Sequence, residues 1–174
     1  MKKFALMLMV SIFFVCLSAV WSESLMVGLS TEELTRNADI VVVGEVRDLY
    51  SYWSEDGKRI LTRAKVTVNE YAKGKYHAEV DVEYEGGEVG GIGYRVSDVA
   101  PLTTGESVLL FLKVKQIERN FNVFSIVGNA QGKYGVKDGI ASKTGFTVVK
   151  GTENVIDNNI PVEYLLNKIR TIQK

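Results

Sequence analysis

The chain has 174 residues with 21 basic and 21 acidic side chains, one histidine, one cysteine and no net formal charge at neutral pH. The charge balance excludes the basic footprint that nucleic-acid binding needs, and one histidine with one cysteine excludes three-histidine, two-histidine and zinc–thiolate centres. A chain of this length forms one domain and buries roughly 70% of its unfolded surface.

Met1-Lys2-Lys3 precedes an apolar run from Phe4 to Val20 that only Ser11 and Ser18 interrupt, with small residues at its end. These are the parts of a secretory signal, expected over residues 1–22, with cleavage after Ser22 or after Ala19. The run is near the lower limit for a membrane span, so an uncleaved anchor is the alternative. Cys16 lies inside the run behind Phe13-Phe14-Val15 rather than behind the small residues a lipoprotein signal requires. Residues 23–174 are then a single exported domain, secreted or periplasmic, without a cysteine, a further membrane span or a cofactor.

In the mature chain, Leu29-Ser30-Thr31-Glu32-Glu33-Leu34 reads as a helix start, with Ser30 and Glu33 as a capping box and Leu29 and Leu34 as a hydrophobic staple. A strand follows from Ile40 toward Trp53, with Gly44 marking a bulge. Asp56-Gly57 turns the chain. The next strand, from Ile60 to about Tyr71, alternates Ile60, Thr62, Ala64, Val66 and Val68 on one face with Arg63, Lys65, Thr67 and Asn69 on the other. Glu79 to Glu85 alternates likewise, with Val80, Val82 and Tyr84 inward.

The stretch Gly86-Gly87-Glu88-Val89-Gly90-Gly91-Ile92-Gly93 reads as a bend in a tightly coiled strand. It lacks the Lys-Ser/Thr of a phosphate loop and the following helix of a dinucleotide fingerprint. Bare glycine backbone still lets a partner approach closely, which makes Gly90 and Gly91 candidate contacts. Val108 to Leu112 is a strand buried on both sides, and Phe121 to Val127 is its hairpin partner. Asp138-Gly139 turns between two short strands, and Phe146 to Val149 is a last strand. Pro161 opens a helix whose Val162, Leu165, Leu166, Ile169 and Ile172 form one apolar stripe. The pattern predicts a mainly β protein: a small antiparallel barrel with a short helix at each end.

Ala38-Asp39-Ile40-Val41-Val42-Val43-Gly44-Glu45-Val46 is followed in order by Val66-x-Val68, Lys73-Gly74, Gly86-Gly87, Gly105-Glu106, the run Val108 to Leu112 and Gln131-Gly132-Lys133-Tyr134. This order resembles a group of uncharacterised exported bacterial β-barrel proteins over about residues 30–136. More distantly it is similar to the netrin-like domain, the oligonucleotide/oligosaccharide-binding barrel of tissue inhibitors of metalloproteinases. The resemblance implies that barrel fold and a protease-inhibitor-like role. Those inhibitors chelate the protease zinc through an N-terminal cysteine, which the mature chain does not have.

Four features are candidates for chemistry. The row Glu79, Asp81, Glu83 and Glu85 has the oxygens calcium favours. A hairpin centred on Gly74 would instead set Lys65 opposite Glu83 and Arg63 opposite Glu85, a cross-strand charge ladder without metal. His77 lies in an exposed turn. Tyr50, Tyr52 and Trp53 beside the Asp56-Gly57 turn are a contact surface for protein or sugar, or else close the barrel end. The leading expectation is a non-catalytic exported binding domain for a protein or cell-envelope partner. The alternatives are a secreted carboxylate-dependent hydrolase and a structural envelope component. Intact-mass measurement of the secreted protein is expected to give a chain beginning near Glu23, and a full-length mass would identify residues 1–22 as a retained anchor.

Overall fold

The computed structural model describes residues 25–117, 121–144, 147–148 and 156–173. The expected signal segment, Cys16 and the ends of the expected last strand, Phe146 and Val149, lie outside the described residues. Five strands form a closed barrel: β2 (Ile40–Trp53), β3 (Ile60–Lys73), β4 (Glu79–Glu85), β7 (Ser107–Ile117) and β8 (Asn122–Ile126). Two short strands, β5 (Gly87–Val89) and β6 (Ile92–Tyr94), lie between β4 and β7. The sheet extends beyond β7 through β9 (Lys133–Lys137), β10 (Ile140–Ser142) and β12 (Ile160–Pro161). A separate parallel pair joins β1 (Leu25–Met26) to β11 (Thr147–Val148).

The pairing order around the ring is β2–β3–β4–β8–β7 and back to β2, and every seam but one is antiparallel. β4 and β8 run parallel, through Asp81 opposite Val123 and Val82 opposite Phe124. The expectation of an antiparallel barrel is refined here by a topological necessity: a ring of five strands cannot alternate direction all the way round. The result is the five-stranded barrel of the oligonucleotide/oligosaccharide-binding class.

The strict alternation of β3 and β4 sends Ala64, Val66, Val80 and Val82 into the barrel, where they meet Val42, Val46, Leu110, Leu112 and Phe124. β7 has no polar face over residues 108–112. Val108, Leu110 and Leu112 fill the barrel, while Leu109 and Phe111 face a second core with Leu34, Tyr134, Leu165 and Ile169. That second core lies beneath α1 (Thr31–Asn37) and α2 (Val162–Ile172).

The capping box forms as expected. The Ser30 hydroxyl accepts from the Glu33 amide at 3.2 Å, and the Glu33 carboxylate accepts from the Ser30 amide at 2.9 Å. Lys73 Nζ donates to the carbonyls of Thr35 and Ala38 at 2.7 and 2.6 Å, which satisfies orphan acceptors at the end of α1. At Gly44, where the β2–β3 register shifts, a Cβ would run into the Thr67 carbonyl.

Three local readings are corrected. The β3–β4 register is displaced by two residues, so that Arg63 faces Glu83 and Lys65 faces Asp81. The cause is that β3 continues to Lys73 along β2, while β3–β4 pairing starts only at Thr67 opposite Glu79. The shift is even, so each residue keeps its face. The glycine-rich stretch is no bend in one strand but a hairpin of β5 with β6. Gly90 and Gly91 form its turn at φ +60° and +79°, the two positive angles of a type I′ turn. Pro161 caps α2 and pairs with β10 rather than being its first helical residue.

One buried cation stands apart from these contacts. Lys143, just past β10, is 5% exposed, and its Nζ has no hydrogen-bond partner among the described residues. It lies 4.4 Å from the Tyr134 ring centroid. Burial pushes its ammonium down to about 7, and Asp157 opposes that shift incompletely because its carboxylate is engaged by Lys168 at 2.7 Å and Thr31 at 2.6 Å. The unfolded lysine titrates near 10.5. Between the two values the unfolded chain holds the extra proton, so stability rises with pH. The Tyr134 hydroxyl, itself raised by burial, titrates above this window. The unfolding free energy from urea titrations is expected to climb on the order of 2 kcal/mol between about pH 7 and 9. Lys143→Met should flatten the climb; a rise that survives the substitution contradicts the assignment.

Candidate functional site

The outer face of β2, β3 and β4 carries the residues that the barrel interior rejects. Strand alternation puts Tyr50 and Tyr52 on the same face of β2, with Trp53 at the end of the strand beside the turn. The two tyrosine rings stack with centroids 5.7 Å apart and an interplanar angle of 28°. Register aligns Tyr50 with Arg63 and Arg63 with Glu83, so one row crosses three strands. A parallel row runs through Asp48, Lys65 and Asp81.

Glu83 is the centre of this face. It was expected on a solvated row, yet it is 5% exposed. Arg63 Nη2 donates to Oε2 at 2.9 Å, Lys115 Nζ on β7 donates to Oε1 at 2.8 Å, and the Tyr52 hydroxyl donates to Oε2. Burial works against the carboxylate, but the hydrogen bonds from Lys115, Tyr52 and Arg63 together outweigh it and hold Glu83 below its usual range. Burial first, and then the bond to Glu83, push the Tyr52 hydroxyl up to about 12. The Arg63 guanidinium also lies 5.9 Å from the Tyr52 ring centroid. The rest of the acidic row is ion-paired nearer solvent: Lys65 reaches Glu79 at 3.7 Å and Asp81 at 3.9 Å, and Arg59 reaches Glu85 at 3.5 Å.

Two open clefts that share Arg63 in their linings make up the groove of this face. One, of about 780 Å³, runs past Tyr50, Lys65, His77, Asp81 and Phe121. The other, of about 730 Å³, runs past Tyr52, Trp53, Asp56, Arg59 and Lys115. The groove is flanked by the β2–β3 turn on one side and by Phe121, just before β8, on the other. A smaller cleft of about 320 Å³ opens where β4 and β8 stop pairing, beside Glu85, Asp98, Ser125 and Asn129. Its acids are engaged as well, Asp98 accepting from Asn129 at 2.6 Å and Glu85 from the Tyr94 hydroxyl at 2.7 Å.

Of the residues singled out from sequence, Tyr50, Tyr52 and Trp53 all line the groove, with Tyr50 53% and Trp53 42% exposed. Trp53 therefore does not fill the barrel. Gly90 and Gly91 lie at the tip of the β5–β6 hairpin and line none of the clefts described here. The hairpin base, at Gly87, is seated against the hydroxyls of Ser51 and Thr62 instead. His77 is exposed and packs edge-on to Tyr76 with centroids 4.3 Å apart. Among the described residues, no group of three or more His, Cys, Asp and Glu side chains is arranged to hold a metal ion. Lys115 and Phe121 were missed, because only barrel closure brings them beside Glu83 and Tyr50. The tyrosine spacing at i and i+2, opposite an alternating Arg63 and Lys65, was the available signal for the rest of the face. No protein-family model matches the chain, and no curated protein does.

Glu83→Ala would leave the Arg63 and Lys115 cations facing each other, and is expected to cost on the order of 3 kcal/mol in chemical denaturation. Trp53→Ala should cost about 1 kcal/mol, well below the 3–5 kcal/mol typical of truncating a buried tryptophan. Equal costs for the two variants would contradict this description of the face.

Proposed function

We propose that the protein is an exported, non-catalytic binding domain that takes its protein or cell-envelope partner along the groove on the outer face of β2, β3 and β4. The observation that carries this reading is the row Tyr50–Arg63–Glu83–Lys115. A buried carboxylate with three donors fixes the side chains around it, so the stacked tyrosines are held in place before a partner arrives, which lowers the ordering cost of binding. Tyrosine suits such a surface because it offers much area with few rotatable bonds. Barrels of this class use the same strands and the adjoining loops for their ligands.

A hydrolase would need one carboxylate free to exchange a proton near neutral pH. Glu83 is instead held ionised by its three donors, which favours binding over catalysis. The resemblance to the netrin-like domain supports this reading at the level of architecture. It lends no inhibitory chemistry, since the cysteine that chelates zinc in those proteins has no counterpart in the mature chain.

The test is retention of solubilised native envelope on the immobilised secreted protein, compared between wild type and Tyr50→Ala. Tyr50 is half exposed, so its truncation should leave the circular dichroism spectrum unchanged. The expected result is a component held by the wild type and lost from the variant. Equal retention by both, with loss instead in a Gly90→Trp variant, would move the site to the β5–β6 hairpin and overturn the proposal.

A further inference from the structure

The chemistry of the groove narrows the class of its occupant, an inference that rests on the groove being the binding face. The groove has no cationic excess: its two clefts share Arg63 and together hold four bases and five acids. Around Tyr50, the bases Arg63 and Lys65 face the acids Glu79 and Asp81. Around Tyr52, the bases Arg59, Arg63 and Lys115 face the acids Glu55, Asp56 and Glu83. Arg63, Lys65 and Lys115 are tied to carboxylates of the same floor at 2.8–3.9 Å, and Arg59 is tied to Glu85 at 3.5 Å. A nucleic-acid strand draws its affinity from phosphate neutralisation by basic side chains, and here those side chains are already neutralised.

A protein interface has the opposite mismatch. Its centre is depleted of charge and apolar enough to be dried, whereas the floor between the tyrosines and Phe121 consists mainly of ionised side chains. Covering it with a protein surface would desolvate paired charges for little apolar gain.

What remains favourable is a ligand that carries no charge, exchanges water for its own hydroxyls as both donor and acceptor, and has apolar faces for aromatic rings. We propose that the groove holds an uncharged glycan strand, its sugar faces on Tyr50 and Tyr52 and its hydroxyls on Lys115, which Glu83 holds in place, and on the Lys65–Asp81 pair. Paired charges are strong partners for hydroxyls, since hydrogen bonds to ionised groups are roughly twice as strong as neutral ones. The two open clefts share Arg63 and together take in residues from Trp53 to Phe121, which suits a chain of several sugars rather than one.

The experiment is titration of the secreted protein with chitohexaose, cellohexaose and their disaccharides, followed by tyrosine and tryptophan fluorescence and by calorimetry, with oligothymidylate as the charged control. At least one hexasaccharide is expected to bind, more tightly than its disaccharide, and to lose roughly tenfold or more in Tyr50→Ala. Its affinity should change little between about 50 and 200 mM salt, where phosphate-driven binding falls steeply. Should no neutral oligosaccharide bind while Tyr50→Ala still abolishes retention of envelope material, the glycan inference fails and the groove stands as the binding face. Oligosaccharide binding indifferent to both Tyr50→Ala and Lys65→Ala overturns both. Salt-sensitive binding of oligothymidylate in preference to the sugars overturns the glycan assignment alone.

Discussion

Five consecutive residues of β7, Val108 to Leu112, are fully buried on both faces, and the other layers are placed by them. One edge of β7 pairs with β2; the other is shared, its first half with β9 and its second half with β8. The same strand therefore closes the barrel and carries the outer sheet on which α1 and α2 pack. Its inward residues belong to the barrel core and its outward residues to the helical core. Each fully buried leucine or phenylalanine side chain contributes about 1.5–3 kcal/mol of transfer free energy, so this run joins the two cores both geometrically and energetically.

Closure of the ring also assembles the cluster around Glu83. β7 delivers Lys115 to Glu83, which β4 presents and which Arg63 and Tyr52 reach from β3 and β2. Four of the five barrel strands thus meet at one carboxylate. A buried ion pair is weak evidence for stability, because desolvation offsets most of the attraction. Its clearer consequence is geometric: the donors hold one another at fixed positions across strands that would otherwise present mobile, hydrated side chains. Preorganisation of this kind is what a binding surface needs and what a folding core does not.

The sequence was most informative where periodicity and local chemistry agree. The capping box at Ser30, the bulge at Gly44, the inward faces of β3 and β4, the doubly buried run of β7 and the apolar stripe of α2 follow from patterns a few residues long, and the structure has them. The motifs carrying the family resemblance prove to be fold contacts. Asp39 accepts from the Val114 amide, Lys73 caps α1, Glu106 pairs with Lys133, and the Gln131 side chain bonds the backbone of Leu29 and Val27. What could not be read were relations set by closure. The β3–β4 register depends on how far β3 follows β2, the parallel seam on the strand count, and the burial of Glu83 on a lysine that comes from β7. Half of the groove was legible as an aromatic cluster, while Lys115 and Phe121 lie far along the chain.

The two ends of the barrel face divide the possible sites. The groove combines fixed polar pairs with stacked aromatic rings, whereas the β5–β6 hairpin offers an exposed Ile92 and Tyr94 on a three-residue strand. A backbone amide shift map of the protein titrated with chitohexaose distinguishes them directly. The account predicts the largest shifts at Tyr50 to Trp53, Arg63 to Lys65 and Glu79 to Glu83. Shifts confined to the hairpin from Gly87 to Tyr94, with the β2–β3–β4 face unmoved, would contradict it.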